Sequence, residues 1–278
     1  MAKGHLPRFI SFVVRAADPK RDKKGYAVLR AVHSEQTSLK LSIIVAAHNE
    51  EKYILRCLDA IGRASEDIAH EIIVVCDRCT DRTTDEAKRF MVRIIEKSHA
   101  RWRNSYAENL EIGLGEAHGE FVAVVDADIL IEPEYFRKAL AVFNGEISSV
   151  SGRVITEPST AFNRLYSLWE RTYDVLGAGR TPRGGNRVYR GEKLREVRFT
   201  DVIAPDTDVD LRMRGKRIYL SDAISYHMRE LTVGKCIRGQ LNSGRARRQL
   251  HMPFWRTLLH SLVRLRPFVI IGYIAAKR

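Results

Sequence analysis

Cysteine is scarce in this chain: four residues among 278, at Cys57, Cys76, Cys79 and Cys236. So few make no disulfide framework in a chain of this length, and a reducing compartment is the plain reading. Cys76 and Cys79 have redox-type spacing, but no second pair completes a zinc site. Residues 1–30 lack an apolar segment followed by a small-residue cleavage site, which argues against a secretory signal. The late apolar run at residues 268–276 is about half of the ~20 residues a spanning helix needs. No internal repeat or low-complexity tract interrupts the chain. Acidic residues are in deficit, 34 against 47 lysines and arginines, giving a formal net charge of +13. Such an excess calls for an anionic partner: nucleic acid, an acidic membrane surface or a phosphorylated substrate. A hydrophobic content of 45% is ordinary for a globular core.

One stretch organises the rest. Phe121-Val122-Ala123-Val124-Val125 runs straight into Asp126-Ala127-Asp128. A short apolar run of this kind reads as a strand buried on both faces, and ligands of open α/β sheets bind at carboxyl ends of strands. Two carboxylates this close repel unless a cation separates them. Mg²⁺ or Mn²⁺, hard cations that take oxygen ligands, fit that place and would hold a diphosphate.

Other segments fall into the same rhythm. Residues 41–47 read as a strand ending at His48-Asn49-Glu50, and residues 51–65 as a helix. Ile72-Ile73-Val74-Val75 forms a strand ending at Cys76-Asp77. Thr83 and Glu86 have capping-box spacing for a helix to residue 90. A short strand at 92–95 and a helix at 105–118 precede the central strand. Pro133 opens the next helix, to about residue 143. A strand near 149–155 follows, then a helix at 162–176 and a Gly- and Arg-rich loop at 177–187. Asp206 opens a short helix ending at Gly215, and residues 217–220 read as another strand. Strands alternating with helices predict parallel βαβ units and an α/β fold with a mostly parallel central sheet. Residues 1–40 form an N-terminal extension, with an apolar stretch at 9–14 and a charged loop at 18–24. Residues 41–250 are the main domain.

The tail, residues 251–278, differs in kind. Phe254, Trp255, Leu258, Leu259, Leu262 and Val263 recur at helical spacing, with Arg256, His260 and Arg264 on the opposite face. A basic amphipathic helix of this composition suits an anionic membrane interface.

Four strand ends thus carry polar signals in order: Ala46 to Glu50, Cys76 to Asp81, Asp126 to Asp128, and Pro205-Asp206-Thr207-Asp208. The series resembles family 2 glycosyltransferases of the GT-A fold, over roughly residues 41–244. The resemblance implies a GT-A type single domain, a nucleotide-diphosphate sugar donor, inversion at the transferred carbon and a Mg²⁺ or Mn²⁺ cofactor. It places base and ribose contacts at Ala46, His48, Glu50 and Asp77, and the ribose or metal at Asp126 and its neighbour Ala127. Asp128 and His227 become metal ligands, Asp206 the general base, and Asp208 its substitute toward the acceptor. Gly185 and Asn186 match the family's acceptor loop. The family's basic glycine loop is replaced here by Ala100-Arg101-Trp102-Arg103, where one arginine is expected to contact phosphate. Arg153, Arg229 and Lys235 resemble the phosphate-binding cations of polyprenyl-phosphate mannose synthases, which favours GDP-mannose and a lipid-linked or membrane-borne acceptor. On this reading the protein is peripheral on the cytoplasmic face of the cell membrane and binds no nucleic acid. A UDP-sugar donor with a soluble or polysaccharide acceptor is the alternative. A nucleotidyltransferase would want a glycine-rich phosphate loop with a basic residue, and Ala46 to Glu50 offers neither.

Overall fold

The computed structural model describes residues 39–175 and 185–276. The apolar stretch at 9–14, the charged loop expected at 18–24 and residues 177–184 of the Gly/Arg-rich loop lie outside the described residues. The first half runs β1 (Leu41–Ala47), α1 (Ile54–Ala64), β2 (His70–Asp77), α2 (Thr83–Ala87), β3 (Arg93–Lys97), α3 (Ser105–Gly115), β4 (Phe121–Asp126) and β5 (Ile129–Ile131). Then come α4 (Tyr135–Ala141), β6 (Ile147–Thr156), α5 (Ala161–Val175), β7 (Asn186–Arg190), α6 (Gly191–Val197), α7 (Pro205–Arg212) and β8 (Lys216–His227). Three helices follow: α8 (Val233–Gln249), α9 (Phe254–Val263) and α10 (Phe268–Ala275).

One sheet holds the strands in the order β3-β2-β1-β4-β7-β6-β8-β5. β3, β2, β1 and β4 are parallel. β7 runs antiparallel between β4 and β6, and β8 lies parallel to β6. The carboxyl ends of β1, β2, β4, β6 and β8 therefore share one edge with the beginning of β7. The apolar residues of β1 divide by period two. Leu41, Ile43 and Val45 join the core under α1 and α4, while Ile44 joins Leu110 and Leu114 of α3 on the other face. Gly113 lets α3 lie flat on β1, because a Cβ there would collide with the Ile44 side chain.

The structure departs from the sequence reading where local pattern was thin. Residues 51–53 form a turn, with Tyr53 N and Ile54 N both donating to the Glu50 carbonyl, so α1 starts at Ile54. β5, three residues long, is too short to show periodicity, and pairs antiparallel with the end of β8. β8 is longer than the expected 217–220, because its exposed Ser221 and Asp222 hide the strand pattern.

The tail is two helices, not one. Pro267 and a left-handed Leu265 (φ 49°) break it, and α10 then packs on α8. Gly244 and Gly272 make that crossing possible: a Cβ on either would strike backbone of the facing helix. Residues from Leu39 onward form one unit, so the tail is joined to the main domain through this contact. Among the described residues no helix is long and apolar enough to cross a membrane. Replacing Gly272 by Val is expected to pry α10 from α8 and lower the thermal midpoint by roughly 4 °C or more, the scale of ~1–3 kcal/mol of overpacking. An unchanged midpoint in differential scanning calorimetry would count against this packing.

Candidate functional site

Strand ends bring Asp126, Asp128, Glu50, His227 and Arg229 together. β4 stops at Asp126, and Asp128 closes the tight link to β5. There the Asp128 carbonyl accepts from Met228 N at 2.8 Å, fastening the end of β8 beside it. Asp128 is nearly buried. Its Oδ2 accepts from Arg229 Nε at 2.7 Å and stands 3.2 Å from His227 Nε2. The other arm of Arg229 pairs with Glu50 at the end of β1. Burial drives the Glu50 carboxyl upward against the opposing pull of Arg229. Burial likewise holds the His227 imidazolium below its usual range despite Asp128, so the ring is neutral at pH 7 and able to ligate. Asp126 stands alongside, its Oδ1 accepting from Tyr106 OH at 2.6 Å. Burial, then the charge of Asp128, pushes its carboxyl up to about 7, with the Tyr106 hydrogen bond opposing. Between them Ala127 is buried and presents no functional group. Ala46 pairs across β1 and β4 with Asp126, and its small side chain keeps that neighbour open.

A second polar layer lies where β1 meets β2. Asp77 is buried and held by Arg78 Nε (2.8 Å), Ser105 Oγ (2.5 Å) and Lys97 Nζ (3.3 Å). Burial alone would raise its carboxyl; those hydrogen bonds and the Lys97 charge outweigh it and hold the group well below the usual range. His48 Nδ1 approaches the Asp77 carbonyl at 2.5 Å, joining the two strand ends. Asp81 caps α2 by accepting from Thr83 N at 3.0 Å and reaches back to Glu51 N at 3.1 Å. The loop after β3 is clamped by Glu108, which accepts from Arg101 N and from Lys97 Nζ. Arg101 and Arg103 are left exposed.

Across the site, Gly185 adopts φ +104°, and its carbonyl accepts from Asp126 N at 3.0 Å. Asp206 lies in the first turn of α7, near enough to Asp126 that its charge adds to the upward push on that carboxyl. Two expected acceptor contacts are otherwise engaged. Asn186 is fully buried and turns to β8, donating to Ser225 Oγ at 2.7 Å. Asp208 is held by Thr200 Oγ1 (2.7 Å) and Arg212 Nε (2.9 Å), so its charge is spent inside α7's own surroundings. Lys235 is exposed in the first turn of α8, with Nζ donating to the Glu230 carbonyl at 2.9 Å. Arg153 lies on β6, half-buried, opposite Ile224 just past a break in register.

The sequence reading missed Tyr106, Arg187 and Asp210. Arg187 is buried and donates to the Asp206 carbonyl and to Asp210 Oδ2, each at 2.9 Å. Asp210, one helical turn beyond Asp206, was the available signal.

A parallel four-strand half, a reversed β7 and a carboxylate-lined rim at one sheet edge define a transferase fold of the GT-A type. Solved structures agree with it. A mannosyltransferase from Pyrobaculum calidifontis, in complex with GDP-Man and Mn²⁺, superposes with TM-score 0.60 at 20% identity, over 86% of this chain and 74% of that one. Glucosyl-3-phosphoglycerate synthase from Mycobacterium tuberculosis, with Mn²⁺, UDP and phosphoglyceric acid, gives 0.55 at 19%, over 73% and 74%. Residues 42–203, more than half of the chain, match the family model "Glycosyl transferase family 2", and the chain belongs to that family. A dolichol-phosphate mannosyltransferase of Pyrococcus furiosus is 28% identical over 122 residues, 42% of this chain and 34% of that protein. The chain spans about a third of the length of the curated relatives it matches first.

The raised Asp126 carboxyl carries a pH signature. The folded state holds this proton more tightly than an unfolded chain, so Asp126's contribution is present at low pH and is lost as pH climbs toward about 7. In thermal unfolding with EDTA, Asp126→Asn is expected to fall less steeply than wild type between pH 4.5 and 7.5. Parallel slopes for the two proteins would contradict the buried, charge-crowded placement.

Proposed function

We propose that the protein is an inverting, divalent-metal-dependent glycosyltransferase. It moves a sugar, mannose from GDP-mannose in the favoured reading, to a lipid-linked or membrane-borne acceptor. The observation that carries this reading is the convergence of Asp128, His227, Arg229 and Glu50 at the strand ends, with Asp206 across from them.

The donor atoms suit the metal. Among the described residues no ready-made group of three or more His, Cys, Asp and Glu ligands stands assembled. Carboxylates and a neutral imidazole nevertheless match Mg²⁺ or Mn²⁺, and Arg229 already supplies positive charge to Asp128. Asp128 and His227 would hold the ion, with Asp126 beside them. When bound, it supplies Lewis-acid stabilisation to the departing diphosphate. Asp77 and His48 line the position expected for base and ribose. Arg229 swings its charge toward the leaving nucleotide, supported by Lys235 from α8 and, on the family pattern, Arg153. Asp206 takes the proton of the acceptor hydroxyl as that oxygen bonds to the anomeric carbon and the carbon–phosphate oxygen bond breaks, which inverts the centre. A cavity of about 310 Å³ beside this turn, lined by Ala204, Thr207, Asn242, Ser243 and Arg247, supports approach of the acceptor from the α8 side.

Calorimetric titration with GDP and with UDP, in Mn²⁺ and again in EDTA, tests the donor. Metal-dependent GDP binding is expected, with Asp128→Ala losing the Mn²⁺ enhancement and at least ~100-fold in transfer. Preference for UDP would keep the mechanism and discard mannose, and the Mn²⁺–UDP complex of the mycobacterial neighbour keeps that alternative specific. Failure to bind either nucleotide would sink the reading.

Helix α9 supports the membrane side. Its polar face is inward, with Thr257 at 0% and Ser261 at 2% exposure, while Trp255 is 60%, Leu259 55% and Leu262 63% exposed. Exposed Arg256 and the +13 charge complement anionic lipid, which supports the reading of a peripheral enzyme on the inner face of the cell membrane. Co-sedimentation with phosphatidylglycerol vesicles is expected to fall at least tenfold in Trp255→Glu/Leu259→Glu. Retention equal to wild type would remove α9 from the membrane.

A further inference from the structure

We propose that Arg187 is the positioning residue for Asp206, the side chain through which the sheet aims the acceptor-activating carboxylate; the inference rests on Asp206 being that base. Arg187 sits on β7 paired with Val124 of β4 on one side and Ser151 of β6 on the other, so its backbone is fixed from both edges. Its side chain is only 3% exposed. A cation removed from water this far is costly unless it is paired, and the two carboxylates that pair with it, Asp206 and Asp210, are both on α7. Nη1 donates to the Asp206 carbonyl and to Asp210 Oδ2, both at 2.9 Å, and Nη2 stands 3.5 Å from Asp206 Oδ2. Asp210 is itself anchored to β6, accepting from Ser149 Oγ at 2.9 Å.

This division of contacts is what a base requires. Asp210 takes the close, buried charge pair. Asp206 receives its orientation through the backbone and keeps a longer contact at its carboxylate, with the side chain 21% exposed. Among the described residues no other side chain bonds Asp206. A short two-pronged pair would hold the carboxylate away from an incoming proton; this one aims it and leaves an oxygen open. Among the described residues the N-terminus of α7 has no side-chain cap, since Ala204 cannot provide one and Pro205 brings no N–H.

The test uses the intact protein and whichever of GDP-Man, UDP-glucose and UDP-N-acetylglucosamine it turns over, with water as acceptor and nucleotide release as the readout. Arg187→Met is expected to lower kcat roughly 10- to 100-fold with donor KM within about twofold of wild type, the scale of a misplaced catalytic group. Arg187→Lys restores part of kcat, and Asp210→Asn reproduces a smaller loss. In an Asp206→Asn background, Arg187→Met costs nothing further, because the residue it positions is already gone. These two milder variants carry the test if Arg187→Met does not fold. An unchanged kcat, an equal loss in both backgrounds, or a rise in donor KM that matches the fall in kcat overturns the proposal while leaving Asp206 as base. Absence of both nucleotide binding and turnover in the wild type overturns the glycosyltransferase reading, and this proposal with it.

Discussion

The rim of this sheet depends on how a basic chain holds its carboxylates together. Glu50, Asp126 with Asp128, and Asp206 approach one another from three different segments, and like charges at such range repel strongly in a partly buried setting. One guanidinium carries most of the compensation. Arg229 reaches from the end of β8 to Asp128 and Glu50, closing β8, β4 and β1 into a single edge. Tyr106 shares Asp126 without adding charge, and Arg187 answers Asp206 from beneath. Basic residues are therefore not only a property of the outer surface; two of them, Arg229 and Arg187, are built into the rim. In the proposed chemistry Asp128 and His227 would hold a divalent cation, and Arg229, which already pairs with Asp128 and Glu50, would supply further positive charge for the diphosphate.

A similar economy orders the β1–β2 side. Asp77 stays ionised despite burial because Arg78, Ser105 and Lys97 surround it from three elements. Such a carboxylate accepts hydrogen bonds without trading protons, which suits recognition of N–H or hydroxyl groups. Asp126, with a neutral hydrogen-bond donor and an anionic neighbour, sits near its own midpoint at neutral pH. Two strand-end aspartates in one fold are thus tuned in opposite directions by what packs against them.

The apolar strands and the residues at their ends were legible because each signal is local. A run of buried β-branched residues that closes on polar residues says both "strand" and "end": Asp126 follows Val125 directly in β4, Asp77 follows Val75 after Cys76 in β2, and His48-Asn49-Glu50 close β1. Pairing across the fold was not legible. Tyr106 stands twenty positions before its partner, and Arg187 reads as one more solvated arginine in a Gly/Arg-rich loop until β7 is known to lie between β4 and β6. The partners of Asp208 and Asn186 were hidden for the same reason: motif position marks both for the acceptor, while in the fold Arg212, four residues on, holds Asp208 and Asn186 donates to Ser225 across the sheet. β5 carries too few residues to show a period, and the outer half of β8 is polar because it faces solvent.

The tail shows how one sequence pattern meets two physical ends. Both α9 and α10 are short and rich in large apolar residues, but only α10 has a glycine, Gly272, that meets Gly244 and admits backbone-close packing on α8. It spends Val269 and Tyr273 on that contact. α9 instead turns Thr257 and Ser261 inward, small polar residues whose burial yields little, and leaves Trp255, Leu259 and Leu262 outside. Burying a large apolar side chain is worth about 1.5–3 kcal/mol. A helix with that inside-out arrangement forgoes most of the gain within its own domain and retains it for an apolar surface outside. α10 thus closes on its own domain through backbone contact with α8, whereas the large side chains of α9 stay outside because its inward positions are taken by Thr257 and Ser261.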